Sequence, residues 1–447
     1  MRALVVAAFE LGRQSFAVAS AVAALRGAGA EVDQLDLSLD PLTPEAVRGV
    51  DLVAFHLPMH TAARLAVAAA ERARELRPGI ALCFFGLYAP LNGALLRRRF
   101  DAVVLGPEFE AGLAELAELR AGRRSADGGL PRGRRRPLAA PDRRGAPGLD
   151  RYAKLRVEGA ERLVGAAQAS RGCRHRCRHC PEPLLYDGRI RLVPAAVVAA
   201  DVAQLVEAGA GHVSLCDPDF LNAPRHALAV LEALHRAHPD LTFDVTVRVE
   251  HLVRHEHLLG HLRDLGVLIV TTAAESADDQ VLALLDKGHT MDEFRQAARA
   301  CAAAGLTLNP TFMPFSPWTT ALSLAALVRL VAELDLVEHV APVQYTVRLL
   351  LPAGSVLAGP AAEVAEVGCF DEELLGFPWR HGDPGIDELH RAATTLVGAA
   401  VDAGAPRRQV FRDLAELFGA PLDQAPAARD ELTPASSVAQ LTEPWFC

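Results

Sequence analysis

The sequence predicts an α/β protein in which a doubly wound, Rossmann-like parallel sheet precedes a partial (β/α)6 barrel, a helical C-terminal region and a flexible tail. Three observations predict it. Short apolar runs alternate with amphipathic stretches over residues 2–119, an Arg/Pro/Gly-rich interruption follows at 121–150, and a second series of βα units begins near 166. A chain of 447 residues exceeds one ordinary domain, and an apolar share of 51% supplies core for two or three.

In the first part, 1–120, candidate strands fall at 3–8, 32–37, 52–57, 80–85 and 102–105, with helical patterns between them, as at 15–25 and 62–75. Ligands of such sheets sit beyond the strand C-termini, here near 9–13, 58–61 and 86–92. The segment 121–150 holds eight Arg and no periodicity, which reads as a solvated linker, or else as a basic strap for an acidic partner. In the barrel region, 151–355, candidate strands lie at 167–169, 212–215, 242–247, 267–271, 307–313 and 343–350. Chemistry in barrels collects at the C-terminal mouths of the strands. Closing helices are expected at 385–402 and 406–418, within a helical region 356–420, and the tail 421–447 is Ala- and Pro-rich.

With 46 basic against 55 acidic residues, the chain lacks the excess positive charge of a general nucleic-acid binder. No signal-peptide pattern opens it and no apolar run of about 18 residues marks a membrane span, so a cytoplasmic location is expected. The eight cysteines then suggest metal or catalytic chemistry rather than structural disulfides.

The segment 170–181 spaces Cys173, Cys177 and Cys180 as Cys-x3-Cys-x2-Cys. Three thiolates so close can hold one corner of a cubane 4Fe–4S cluster, which normally takes four cysteines, so one iron is left open for a cofactor or substrate. A zinc site with His175 or His179 as fourth ligand is the alternative, but no second ligand doublet accompanies the triad. Cys83, Cys216 and Cys301 are isolated and read as small buried hydrophobes.

With this spacing at the first strand end and a barrel after it, the chain resembles the radical S-adenosylmethionine (SAM) superfamily. With its N-terminal doubly wound domain it is similar to the branch in which a cobalamin-binding-type domain precedes the barrel. The resemblance implies a 4Fe–4S cluster on the three cysteines, SAM on the open iron, a small-molecule substrate, and an electron donor such as flavodoxin or ferredoxin. It also implies site residues. Asp217 or Asp219, in the loop after the second strand, would receive the SAM amino group, and Arg248 and Glu250, after the third, would meet its carboxylate. Glu275 and Ser276, followed by Lys287-Gly288, match a fourth-strand signature, with Glu275 on the ribose. Cobalamin itself is not implied by the residues, because an Asp-x-His-x-x-Gly signature is absent and His56 and His60 read as ordinary polar residues.

The last residues, Leu-Thr-Glu-Pro-Trp-Phe-Cys447, resemble the C-terminus of the CUAEP/CCAEP-tail radical SAM proteins, in which Cys-Cys or Cys-selenocysteine precedes Ala-Glu-Pro. That resemblance implies a selenocysteine codon after Cys447, which sequencing past the stop tests, and a soft-ligand or redox role for Cys447. It also raises transfer of the 3-amino-3-carboxypropyl group of SAM to arsenite, as in arsinothricin-type biosynthesis, as an alternative to modification of an organic small molecule. From another class, a zinc-binding scaffold or regulator without turnover remains the competing expectation.

Overall fold

The computed structural model describes residues 1–122, 137–420 and 438–442. In the N-terminal domain, strands β1 (Arg2–Ala7), β2 (Glu31–Asp36), β3 (Leu52–His56), β4 (Ala81–Phe85) and β5 (Val103–Leu105) form one parallel sheet in the order β2-β1-β3-β4-β5. All five residues of β3 are buried, as a central strand covered on both faces requires. Helices Phe16–Gly27 and Glu110–Arg120 cover one face, and His60–Leu76 and Gly93–Phe100 the other. Ser15 starts the first helix by accepting a hydrogen bond from the Val18 amide at 3.2 Å. Strand order reverses between β1 and β3, and the crevice beyond their C-terminal ends opens toward the second domain.

The second domain carries β6 (Lys154–Val157), β7 (Ala160–Ala167), β8 (Ser170–Arg171), β9 (Arg191–Leu192), β10 (His212–Leu215), β11 (Thr242–Thr246), β12 (Val267–Glu275), β13 (Thr307–Phe312), β14 (Ala365–Val367) and β15 (Trp379–His381). The main sheet runs β13-β12-β11-β10-β7-β6-β16, where β16 is Gln440–Leu441. Strands β7 and β10–β13 are parallel and curl into a half-barrel, whose outer core is built by the intervening helices.

The architecture differs in detail from the expected elements. The first barrel strand starts at Ala160 rather than 167, because Glu158 and Gly159 form a two-residue turn with φ of 51° and 78° that pairs β6 with β7 as a hairpin. At the sixth position, expected at 343–350, Pro342–Tyr345 is a 3-10 turn. Only residues around Arg348 then run parallel to the chain after β13, through Phe315 N to Val347 O and Leu349 N to Phe315 O. The tail is docked at 438–442: Val438 and Ala439 are buried and β16 adds an antiparallel edge to β6. Ala439 packs with Leu155, Val164 and Ile269.

The described part of the Arg-rich segment is half-buried to exposed, but the Arg143 side chain within it is a buried clasp. Arg143 pairs bidentately with Asp201 at 2.7 and 2.9 Å, and also donates to the Ala166 carbonyl and to Gln14 Oε1, both at 2.6 Å. It thus joins the first barrel helix to the N-terminal domain. Both partners are nearly fully buried, so removing one strands the other's charge. Arg143→Ala is expected to lower unfolding free energy by ~3–5 kcal/mol. Urea denaturation checks this, and a loss below about 1 kcal/mol contradicts it.

Candidate active site

The chain leaves β7, passes through the β8–β9 pair and enters the cysteine loop at Gly172. Gly172 has φ of 76°, and a Cβ there would sit 2.4 Å from the Arg189 carbonyl and 2.7 Å from the Tyr186 ring, so only glycine makes this turn. The loop that follows is held from several strand ends. The Arg178 amide donates to the Leu285 carbonyl at 2.9 Å, and its guanidinium donates to Leu284 O at 3.2 Å. His179 Nε2 stands 3.1 Å from Glu275 Oε1, at the end of β12. From the turn after β11, Arg248 Nη1 donates to Cys177 Sγ at 2.6 Å, and Arg248 also donates to the Lys287 carbonyl.

Cys173 and Cys177 are buried and Cys180 is half-buried, all as free thiols. Burial holds the Cys173 thiol above its ordinary range and pushes Cys180 to about 12, with Glu182 and the other two sulfurs adding to the effect. Metal binding would have to displace those protons. Among the described residues, the cysteines do not form a group whose ligand atoms all fall within 4.8 Å of one another. Their sulfurs are therefore set wider than the neighbouring ligands of one tetrahedral zinc, which sit under about 4 Å apart.

The other sequence-derived candidates fall into three groups. Asp219, Arg248, Glu250 and Glu275 surround the cysteine loop. Glu275 adopts a left-handed φ of 65°, and its carboxyl is held below the usual range although burial opposes this, because Lys287 and His179 sit against it. Asp217 accepts from the Ala169 amide at 2.7 Å and the Ser170 hydroxyl at 2.8 Å, bracing the chain just before the loop. Ser276 accepts from the Asp278 amide at 3.1 Å and serves a local turn. Cys447 lies outside the described residues.

Between the domains lies a cavity of about 350 Å³. The N-terminal domain contributes Glu10, Arg13, Gln14 and His56, and the barrel contributes Gln168, Arg171, Tyr186 and Thr246. Gly172 and Glu182, which flank the cysteine loop, also line it, so the cavity opens beside the two ends of that loop. The expected strand-end segments 9–13, 58–61 and 86–92 each contribute to the lining, whereas Gln168, Arg171, Tyr186 and Thr246 did not stand out in the sequence, because they meet those segments only on folding. Buried Arg171 seals one side through a 2.6 Å ion pair with half-buried Glu110, its guanidinium over the Phe109 ring.

Burial leaves the cavity's acid and base neutral: Glu10 is raised to about 8 and His56 is lowered to about 3, the latter helped by Arg171. Their facing atoms, Glu10 Oε1 and His56 Nδ1, are 3.5 Å apart. Because the folded pKa of Glu10 exceeds the unfolded value of 4.5, its contribution to stability is fully present below about pH 4.5 and is lost as pH rises through about 8. Glu10→Gln should therefore lose less stability between pH 5 and 9 than the parent, by on the order of 2–4 kcal/mol. Urea midpoints at the two pH values measure this, and equal losses contradict it.

Comparison with known proteins is consistent with this geometry. Residues 168–327 match the Radical SAM superfamily model. No curated protein matches the chain. Among solved structures, it is similar to the cobalamin-dependent SAM radical enzyme OxsB with aqua-cobalamin bound, at TM-score 0.67 and 13% identity, covering 90% of this chain and 67% of that one. It is also similar to the radical SAM methyltransferase TsrM from Kitasatospora setae, bound to tryptophan and a SAM analogue, at TM-score 0.64 and 18% identity, covering 88% and 87%. A radical SAM domain implies a 4Fe–4S cluster and SAM. The cobalamin-binding-like fold is present, but the two histidines near β3 are engaged elsewhere. His56 is buried and stacks on Phe85, and His60 Nε2 meets the Leu374 carbonyl at 2.6 Å. The chain thus carries, at residues 168–327, a radical SAM superfamily domain behind a doubly wound domain.

Proposed function

We propose that Cys173, Cys177 and Cys180 hold a 4Fe–4S cluster with one iron open to SAM, and that the enzyme modifies a small molecule seated in the interdomain cavity. The observation that carries this reading is the cysteine loop itself, three free thiols held at the barrel mouth, with Gly172 and Glu182 on either side of them lining that cavity. When bound, the cluster supplies the electron that cleaves a carbon–sulfur bond of SAM.

The chain's own residues position and insulate that chemistry. Arg248 donates a charge-assisted hydrogen bond to the Cys177 sulfur, the kind of contact that tunes a cluster's potential. Lys287 and His179 keep Glu275 ionised next to the loop, so it can accept hydrogen bonds from hydroxyls such as those of a ribose. The cavity volume suits a small organic ligand. Arg13, Gln14 and Gln168 offer polar contacts to it, and the Arg171–Glu110 pair closes one side. Electrons would come from a small donor such as flavodoxin or ferredoxin.

Anaerobic reconstitution followed by incubation with SAM, dithionite and arsenite tests the reading. Release of 5′-deoxyadenosine by the parent chain is expected, with loss of at least 100-fold in a variant with all three cysteines replaced by Ala and about 10–100-fold in Arg248→Ala. An arsenic-bound amino acid as product would move the acceptor to arsenite, the outcome that the tail resemblance suggests. A colourless protein with one tightly bound zinc and intact SAM would overturn the enzyme mechanism.

A further inference from the structure

Among the described residues, one set of His, Cys, Asp and Glu side chains brings three ligand atoms within 4.8 Å of one another: His175, Asp219 and His251. His175 lies in the cysteine loop between Cys173 and Cys177, Asp219 in the loop after β10, and His251 on the helix Val249–Arg254 after β11. Asp219 Oδ2 stands 2.7 Å from His251 Nδ1 and 3.8 Å from His175 Nε2. Asp219 is 0% exposed.

All three facing atoms are buried and make no hydrogen bond. Even at 2.7 Å, the ring N–H direction of His251 misses the carboxylate. An ordinary Asp–His pair would align that bond, because unpaired buried polar atoms are costly. A metal ion removes the conflict. Two donors bound to a common tetrahedral ion at about 2.1 Å stand roughly 3.4 Å apart with no proton between them, so binding needs the 2.7 Å pair to open by under about 1 Å. The outer contacts agree. Asp219 Oδ1 faces the Arg248 amide at 3.4 Å, leaving Oδ2 for an ion. His175 Nδ1 lies 3.4 Å from Glu250 Oε2, the carboxylate–histidine arrangement that orients a ligating ring. The His175 and His251 rings meet edge to face, with centroids 4.9 Å apart.

We infer that His175, Asp219 and His251 form a mononuclear site for a divalent first-row metal ion, zinc being the best match to two imidazoles and one carboxylate. None of the three cysteine sulfurs belongs to this group, although Asp219 lies near enough to Cys173 to raise its thiol. Its ligands come from three strand ends, so the ion acts as a clip that fixes the cysteine loop to the loops after β10 and β11. This role takes Asp219 away from the SAM amino group.

The test uses the full-length chain with Cys173, Cys177 and Cys180 all replaced by Ser, so that no cysteine-held cluster can form. This protein is incubated anaerobically with Zn²⁺ alone, freed of excess metal by gel filtration, and analysed for metal and by zinc X-ray absorption. About one zinc per chain with nitrogen and oxygen ligands is expected. Zinc should raise the melting temperature, and affinity should fall at least tenfold on adding Asp219→Asn or His251→Ala. Asp219→Asn is isosteric and keeps the contact to the Arg248 amide, and circular dichroism verifies its fold. His261→Ala, on a half-exposed histidine beside Glu232, should leave zinc binding unchanged. Zinc well below one equivalent, sulfur ligation, or affinity unchanged in both site variants would overturn the inference. Since this protein carries no cluster, such a failure would leave the cluster assignment intact.

Discussion

The structure depends on how the cysteine loop is held, because three thiols with no disulfide to fix them must be kept in a set arrangement by their surroundings. Fixation comes from strand ends that are distant in sequence. Arg248 reaches Cys177 from the turn after β11, Glu275 takes His179 at the end of β12, and the Leu284 and Leu285 carbonyls take Arg178. Lys287 balances Glu275 in a buried pair, and each would be costly without the other. At the entrance, Gly172 supplies a backbone conformation that a side chain would block. A loop built this way is preorganised, which a metal centre requires if ligand order is not to depend on the metal alone.

The same economy of charge joins the two domains. Arg143, Arg171 and Arg151 each pair an acidic side chain, at Asp201, Glu110 and Asp40, and each bridges segments far apart in the chain. Tyr152 adds a hydrogen bond to Asp36 at 2.9 Å. Arginine suits these positions because its planar fork binds a carboxylate with defined geometry and is always charged. The cavity is a product of this docking, since neither the edge of the N-terminal sheet nor the barrel mouth encloses it alone.

Much of this was legible in the sequence where the signal is local. The alternation of apolar runs marked all five strands of the first sheet, and the Cys-x3-Cys-x2-Cys spacing marked the loop, because its parts are adjacent. The Glu158-Gly159 turn was not legible, because Glu-Gly is a weaker hairpin signal than Asn-Gly or Asp-Gly and the polar start of β7 masks the strand after it. Other features have no local signal. The docking of Val438–Leu441 needs a free edge on β6 and an apolar hollow at Leu155 and Ile269, neither of which the tail encodes. The Arg-rich segment has the composition of a linker, and only tertiary structure shows Arg143 buried on Asp201. His251 is unremarkable in sequence and gains significance from what it faces, and for Lys287 and Glu10 the sequence marked the segment but not the partner.

The central claim is that the loop presents a cubane corner with one iron open. Electron paramagnetic resonance of the anaerobically reconstituted, dithionite-reduced chain, with and without SAM, tests it most directly. The account predicts a low-temperature signal from a reduced 4Fe–4S cluster whose g values shift when SAM is added, because SAM binds the iron that no cysteine holds. A protein that shows no cluster signal, or a signal that SAM leaves unchanged, would contradict it.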